Sequence, residues 1–191
     1  MSAGLAAVGS GERQTGRAAM HAEAIVSRLE RFPHALRGAV CCVTPEQARW
    51  KPESGAWSVL EVVGHLCDEE VHDFRARLRH VTGGASGLWP PIDPEGWSRE
   101  RRYNEQDLTE RLECFARERA ASVSWLRSLP GVDWGAAYQH PKFGAIRAGD
   151  LLAAWGAHDA LHLRQIAKRL FELAARDAGA FSTAYAGEWK A

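Results

Sequence analysis

The chain has no charge excess of either sign: Lys plus Arg and Asp plus Glu each number 24 in 191 residues, counting histidine as neutral. A protein held on nucleic acid by phosphate contacts carries a basic excess or stripe, so the balance argues against nucleic acid as a partner. No apolar run approaches membrane-spanning length, which argues against a membrane partner. The opening stretch, MSAGLAAVGSGERQTGR, lacks the basic start and apolar core of a secretory signal. Cysteine is scarce, and Cys41, Cys42, Cys67 and Cys114 form no CxxC pair, so they read as reduced thiols of a cytoplasmic protein. Also missing are internal repeats, low-complexity tracts and any sustained apolar/polar alternation of the kind strands need.

What is present is helical periodicity. Residues 1–17 read as a flexible leader and 18–191 as a single domain. A first helix is expected over Arg17–Val43, with Ile25, Leu29, Phe32 and Leu36 on one side and a kink or break at Pro33. Thr44 and Pro45 open a short helical turn. A second long helix begins at the capping box Ser58 with Glu61, carries Leu60, Val63, Cys67, Val71, Phe74, Leu78 and Val81, and stops at Gly83-Gly84. Residues 83–103, rich in proline and glycine, are expected to be one long loop of the lid or binding type. Asn104 and Asp107 stand at cap spacing before a third helix reaching about Leu129. Residues 132–147 read as a structured loop with at most a short extended piece. A fourth helix is expected from Gly149 or Asp150 to about Ala175, before a tail containing Phe181, Tyr185 and Trp189 that packs on the body or on a partner chain. Four amphipathic helices give an all-α bundle.

The fourth helix holds the chemical signal. In LLAAWGAHDALHLRQIAKRL, Leu151, Trp155, His158, His162, Gln165 and Arg169 fall on one stripe. Two imidazoles on an apolar face must each be hydrogen-bonded or share a bound ion, and histidines at i and i+4 present two nitrogens to one metal. The second helix adds His65 at the edge of its apolar arc, followed on the same side by Glu69 and His72. His65, His158 and His162 together form a candidate three-nitrogen metal site. The competing reading is separately satisfied core histidines. His72, with Glu69, Asp73 and Arg75 read as solvated neighbours, is assigned to the surface. His21, His34 and His80 read as helix-surface or helix-end residues, and His140 as a loop residue.

Two segments, SGAWSVLEVVGHLCDEE at 54–70 and HPKFGAIRAGDLLAAWGAHDALHLRQI at 140–166, resemble the DinB/YfiT-like superfamily of small bacterial proteins, with Leu161 where many members have another histidine. The resemblance runs from about Arg28 to Leu173. It implies a four-helix bundle in up-down-down-up order, often a homodimer, with a divalent metal on His65, His158 and His162, zinc and nickel being usual. It further implies an enzyme acting on small molecules. Some relatives are thiol S-transferases using bacillithiol, mycothiol or glutathione, one is a mycothiol-dependent isomerase, and others are labelled metal-dependent hydrolases.

The expected activity is therefore transfer of a low-molecular-weight thiol to an electrophile, with hydrolysis by an activated water as the alternative. A non-catalytic metal-binding or stress-related interaction protein is the alternative of another class. Glu69 is the candidate base or acceptor behind a ligand, and Asp159 a weaker candidate for orienting a ligand imidazole. Trp57, Trp89 and Trp97 are candidates for the pocket mouth. Arg164 and Arg169 are candidates to meet a carboxylate of the thiol, and Cys67 reads as packing.

Overall fold

The computed structural model describes residues 20–84 and 87–190, so the expected leader lies outside the described residues. Four long helical stretches form the body: α1 (Ala22–Val40), α3 (Val59–Glu69) continued through a π-helical turn (Glu70–Phe74) into α4 (Arg75–Thr82), α6 (Leu108–Ser128) and α7 (Ala148–Asp177). Two short helices, α2 (Pro45–Arg49) and α5 (Pro94–Glu100), sit in the connections.

Side-chain pairings fix the helix directions. Arg127 reaches Glu23 and Glu30 while Phe115 meets Phe32, so α1 and α6 are antiparallel. Cys67 meets Cys114, and Arg75 meets Glu118 and Ser122, so α3–α4 and α6 are parallel. His65 faces His162 while Glu70 meets Trp155, making α3 and α7 antiparallel. α1 and α7 are therefore parallel, with Gly156 over Ile25 and Gln47 of α2, which follows α1, bound to Asp177 at the far end of α7. The order is up-down-down-up. Its parallel middle pair requires the long 83–107 crossover.

Local chemistry explains most helix starts. Thr44 with Gln47 and Ser58 with Glu61 form reciprocal capping boxes, and Asp107 caps α6 through the Glu110 amide. Asn104 has a different role: it accepts from Ser58 Oγ and donates to the Arg49 carbonyl, tying the crossover to the start of α3.

The break expected at Pro33 is absent, since α1 runs unbroken through it. Proline removes the amide that would bond the carbonyl four residues back, which is that of Leu29. Arg119 Nη1 donates to that carbonyl at 3.1 Å instead.

The 83–103 segment is not one loop. Asp93 caps α5 through the Gly96 amide, and Tyr103–Glu105 form a 3-10 turn whose Tyr103 ring lies against Gly64. A Cβ on Gly64 would sit 2.8 Å from Tyr103 Cγ, so only glycine lets the crossover pack this closely beside His65. Residues 132–147 contain an antiparallel hairpin, β1 (Ala137–His140) with β2 (Gly144–Arg147), in which Tyr138 pairs with Ile146.

The cysteine expectation also changes. Cys67 and Cys114 are disulfide-bonded between the parallel α3 and α6, leaving Cys41 and Cys42 free. Helix pairing brings together two residues 47 apart, which no local spacing announces. The reading of reduced thiols therefore fails for this pair. Among the described residues, no helix is long and apolar enough to cross a membrane.

Candidate metal centre

The antiparallel contact between α3 and α7 brings His65, His158 and His162 together. One ring nitrogen from each lies within 4.8 Å of the others. His162 Nε2 is 3.1 Å from His65 Nε2 and 3.0 Å from His158 Nε2. His65 is buried, whereas His158 and His162 are half-buried, so the cluster opens outward along α7. Trp57 and Phe74 wall it, each with its ring centroid 4.9 Å from the nearest imidazole, on His65 and His158 respectively. The π-helical turn ends at Phe74 and shifts the register of the helix between His65 and that ring.

All three rings favour the neutral form that a metal needs. Burial, and then the neighbouring His162, lower His65 to about 3. Burial, the other two histidines and Arg119 lower His158 to about 2. His162 is lowered by burial, with Gln165 opposing. Gln165 Oε1 lies 2.8 Å from His162 Nδ1. With the amide oxygen as acceptor, Nδ1 carries the proton and Nε2 presents a lone pair to the cluster. One lone pair cannot fully satisfy two neighbouring imidazole N–H groups. A cation receiving lone pairs from all three Nε2 atoms would resolve the conflict, and the nitrogen donor set fits a divalent transition metal.

That arrangement turns His65 Nδ1 into a donor, and in the structure this buried atom has no hydrogen-bond partner. Glu69 Oε1, also buried and without a hydrogen bond, is 3.8 Å away. Burial, then hydrogen bonding to Asp73, push Glu69 up to about 9. Glu69 thus stands behind His65, on the side away from the clustered nitrogens. There it can orient the ligand.

The other expected residues lie elsewhere. Both carboxylate oxygens of Asp159 accept from Arg119, at 2.6 and 2.8 Å, so this residue serves an ion pair across the bundle rather than an imidazole. Of the three tryptophans, only Trp57 faces a cluster histidine. Trp89 stacks on Tyr138 of the hairpin, and Trp97 lies against His72 and Arg101. His72 is exposed as expected, but Glu69, Asp73 and Arg75 are buried. The charges of Asp73 and Arg75 are met inside the fold by Arg77 and Glu118, which a charge pattern alone cannot distinguish from solvation. Arg169 is buried and paired with Glu172, and Arg164 is exposed. His140 Nδ1 accepts from the amides of Lys142 and Phe143 and holds the hairpin turn.

Two residues of the centre carry no ligand motif. Gln165 lies on the histidine stripe, and its place three residues after His162 is the available signal. Arg119 occupies an apolar position of α6, four residues from both Phe115 and Val123, and a charge at such a position marks a buried ion pair.

The chain is similar to known proteins in family and fold. The profile of the DinB superfamily matches residues 28–166. A relative from Oceanobacillus iheyensis, 26% identical over 147 residues (75% of this chain and 84% of the relative), is named "Putative metal-dependent hydrolase". Relatives from Bacillus licheniformis (26% over 144 residues, 74% of this chain and 80% of the relative) and Bacillus subtilis (YfiT, 23% over 146 residues, 74% and 82%) carry the same description. The solved structure of YfiT from Bacillus subtilis, described as a four-helix bundle of unusual topology, superimposes with a TM-score of 0.73 at 20% identity, covering 87% of this chain and 95% of that one.

Proposed function

The chain belongs to the DinB superfamily, and on that premise we propose that it is a metal-dependent enzyme whose ion is held by His65, His158 and His162. The observation that carries this reading is the convergence of three buried or half-buried, neutral imidazoles on one point. Three protein ligands leave a coordination position for a reactant, the arrangement of catalytic rather than structural zinc. An ion bound there acts as a Lewis acid that lowers the pKa of a water or a thiol.

The choice between these nucleophiles turns on the absence of a base. Among the described residues, no carboxylate joins the histidine cluster, Glu69 stands behind His65 and Asp159 is taken by Arg119. Water that must still lose a proton during attack benefits from a positioned base, whereas a thiol acidified to the thiolate is already the nucleophile. This favours transfer of a low-molecular-weight thiol, of the bacillithiol, mycothiol or glutathione kind, to an electrophilic small molecule. The sulfur forms the new bond to carbon, the leaving group departs with the bonding pair, and the thiol proton passes to solvent. The relatives' names support the second reading, hydrolysis at the same centre.

The test is metal analysis of wild type and the His158→Ala/His162→Ala variant, followed by assays on the zinc- and nickel-loaded protein. Each thiol is supplied with 1-chloro-2,4-dinitrobenzene, and p-nitrophenyl esters are supplied without thiol. About one ion per chain, lost in the variant, with thiol-dependent consumption of the electrophile is the expected result. Ester cleavage without thiol would favour hydrolysis. A tightly held ion with no turnover would leave a non-catalytic metal protein, and no bound ion would overturn the proposal.

A further inference from the structure

Cys41 and Cys42 have no part in the core or in the metal centre. They follow α1 directly, both exposed and both free, and form the middle of a β-turn that the Val43 amide closes on the Val40 carbonyl at 3.2 Å. The turn is held at both ends, by the buried Val40 of α1 and by the capping box of Thr44 and Gln47 that opens α2. It brings the two Sγ atoms to 3.6 Å from one another.

That separation suits a bridging atom better than a disulfide. A disulfide needs the sulfurs about 1.5 Å closer, and adjacent Cα atoms, about 3.8 Å apart, are nearer than the range of about 4.4–6.8 Å in which disulfides form without strain. Two sulfurs on one tetrahedral atom with bonds of about 2.3 Å stand about 3.8 Å apart, so a bridged pair needs almost no movement. Among the described residues, no histidine, cysteine or carboxylate joins the pair as a third protein ligand, which excludes the closed four-ligand site of structural zinc. Trivalent arsenic makes three bonds, so two protein sulfurs and one group of its own complete it. The pair is also kept as thiols, since hydrogen bonding to Cys41 raises Cys42 and the carbonyl end of α1 opposes a thiolate beside it. Condensation with hydroxyl groups on arsenic consumes thiols and leaves no charge behind.

We propose that Cys41 and Cys42 form a chelating site for a thiophilic trivalent metalloid, an arsenous or arsonous acid, separate from the histidine centre. Each thiol gives its proton to a hydroxyl group of R–As(OH)2, two water molecules leave, and two S–As bonds replace two O–As bonds. Arsenic stays trivalent throughout, so the step needs no oxidant or reductant. The site stands on the turn alone and is independent of the enzyme reading above.

Phenylarsine oxide, which hydrates to such an acid, is the probe, and the full chain is used without prior reduction. Intact-mass measurement should show a one-to-one adduct equal to protein plus phenylarsonous acid less two waters. The adduct should survive millimolar glutathione and be stripped by 2,3-dimercaptopropanol, as a two-sulfur chelate is. Cys41→Ser and Cys42→Ser each leave a single sulfur, so each should weaken binding about a hundredfold or more and lose the adduct to glutathione, with metal content and melting temperature of the uncomplexed protein unchanged. Binding should also raise the wild-type melting temperature, because the folded turn holds the sulfurs at bridging distance and the unfolded chain does not. No adduct with wild type, or an adduct that either serine variant keeps in glutathione, overturns the site. An adduct without a rise in melting temperature overturns the part played by the turn and leaves only the reactivity of two adjacent thiols.

Discussion

Replacing Arg119 with methionine should cost this bundle more than any surface change. The guanidinium is 1% exposed and binds three of the four long helical stretches from the remaining one. Nε donates to Glu70 Oε2 at 2.9 Å, Nη1 and Nη2 clasp Asp159, and Nη1 also reaches the Leu29 carbonyl that Pro33 leaves without a helical amide. The methionine side chain would fill similar volume but strand two buried carboxylates, with only the Trp155 indole left to donate to Glu70. Breaking one side of a buried ion pair costs about 3–5 kcal/mol. In a domain of this size, that is a fall in melting temperature of roughly 6–20 °C.

Thermal unfolding with chelator present, so that bound metal does not contribute, measures it. The loss should shrink as pH falls from 8 to 5, because an unpaired buried carboxylate has a folded pKa above its unfolded value and destabilises less once protonated. Pro33→Ala restores an amide opposite the Leu29 carbonyl, so it should recover about 1 kcal/mol in the Arg119→Met background and much less in wild type. A loss below about 1 kcal/mol for Arg119→Met, flat with pH, would refute a buried network and mean that water reaches both carboxylates.

The metal-stripped protein should be most stable near pH 6.5. Below that value His65 and His158, lowered to about 3 and about 2, stay neutral when folded but take protons when unfolded, so stability falls with pH. Above it Glu69, raised to about 9, stays protonated when folded but ionises when unfolded, so stability falls as pH rises. Each group can contribute a slope of at most about 1.4 kcal/mol per pH unit. Urea midpoints across pH 5–9 in chelator read this directly, and a flat profile between pH 5 and 6.5 would remove the buried neutral histidines. Gly64→Ala should destabilise by about 1–3 kcal/mol by driving a Cβ into the Tyr103 ring, measured by urea unfolding; an unchanged midpoint would mean that Tyr103 moves freely. Thiol titration in denaturant should find Cys41 and Cys42 alone before reduction and all four cysteines after it, and four thiols before reduction would disprove the Cys67–Cys114 bond.

The parts of this molecule that could be read from sequence are those whose physics is local or periodic. Ser58 with Glu61 and Thr44 with Pro45 announce helix starts because a cap is satisfied within four residues. His158 and His162 announce a shared site because one helical turn fixes their spacing, and His65 joined them only through the pattern of a second helix. The parts that could not be read depend on what stands opposite. Pro33 looks like a break until Arg119, 86 positions later in the chain, supplies the donor that the missing amide cannot. Asp159 looks available to a ligand imidazole until the same guanidinium takes both its oxygens. Glu70 carries no mark in the sequence, and only the π-helical turn and α6 enclose it. All three depend on Arg119, whose position among Phe115, Ser122 and Val123 on the buried stripe of α6 was visible in the sequence. A single charge on an apolar stripe requires two or three partners from other helices. Residues that look idle elsewhere in such a chain are the ones to assign to it first, before any role at the catalytic centre.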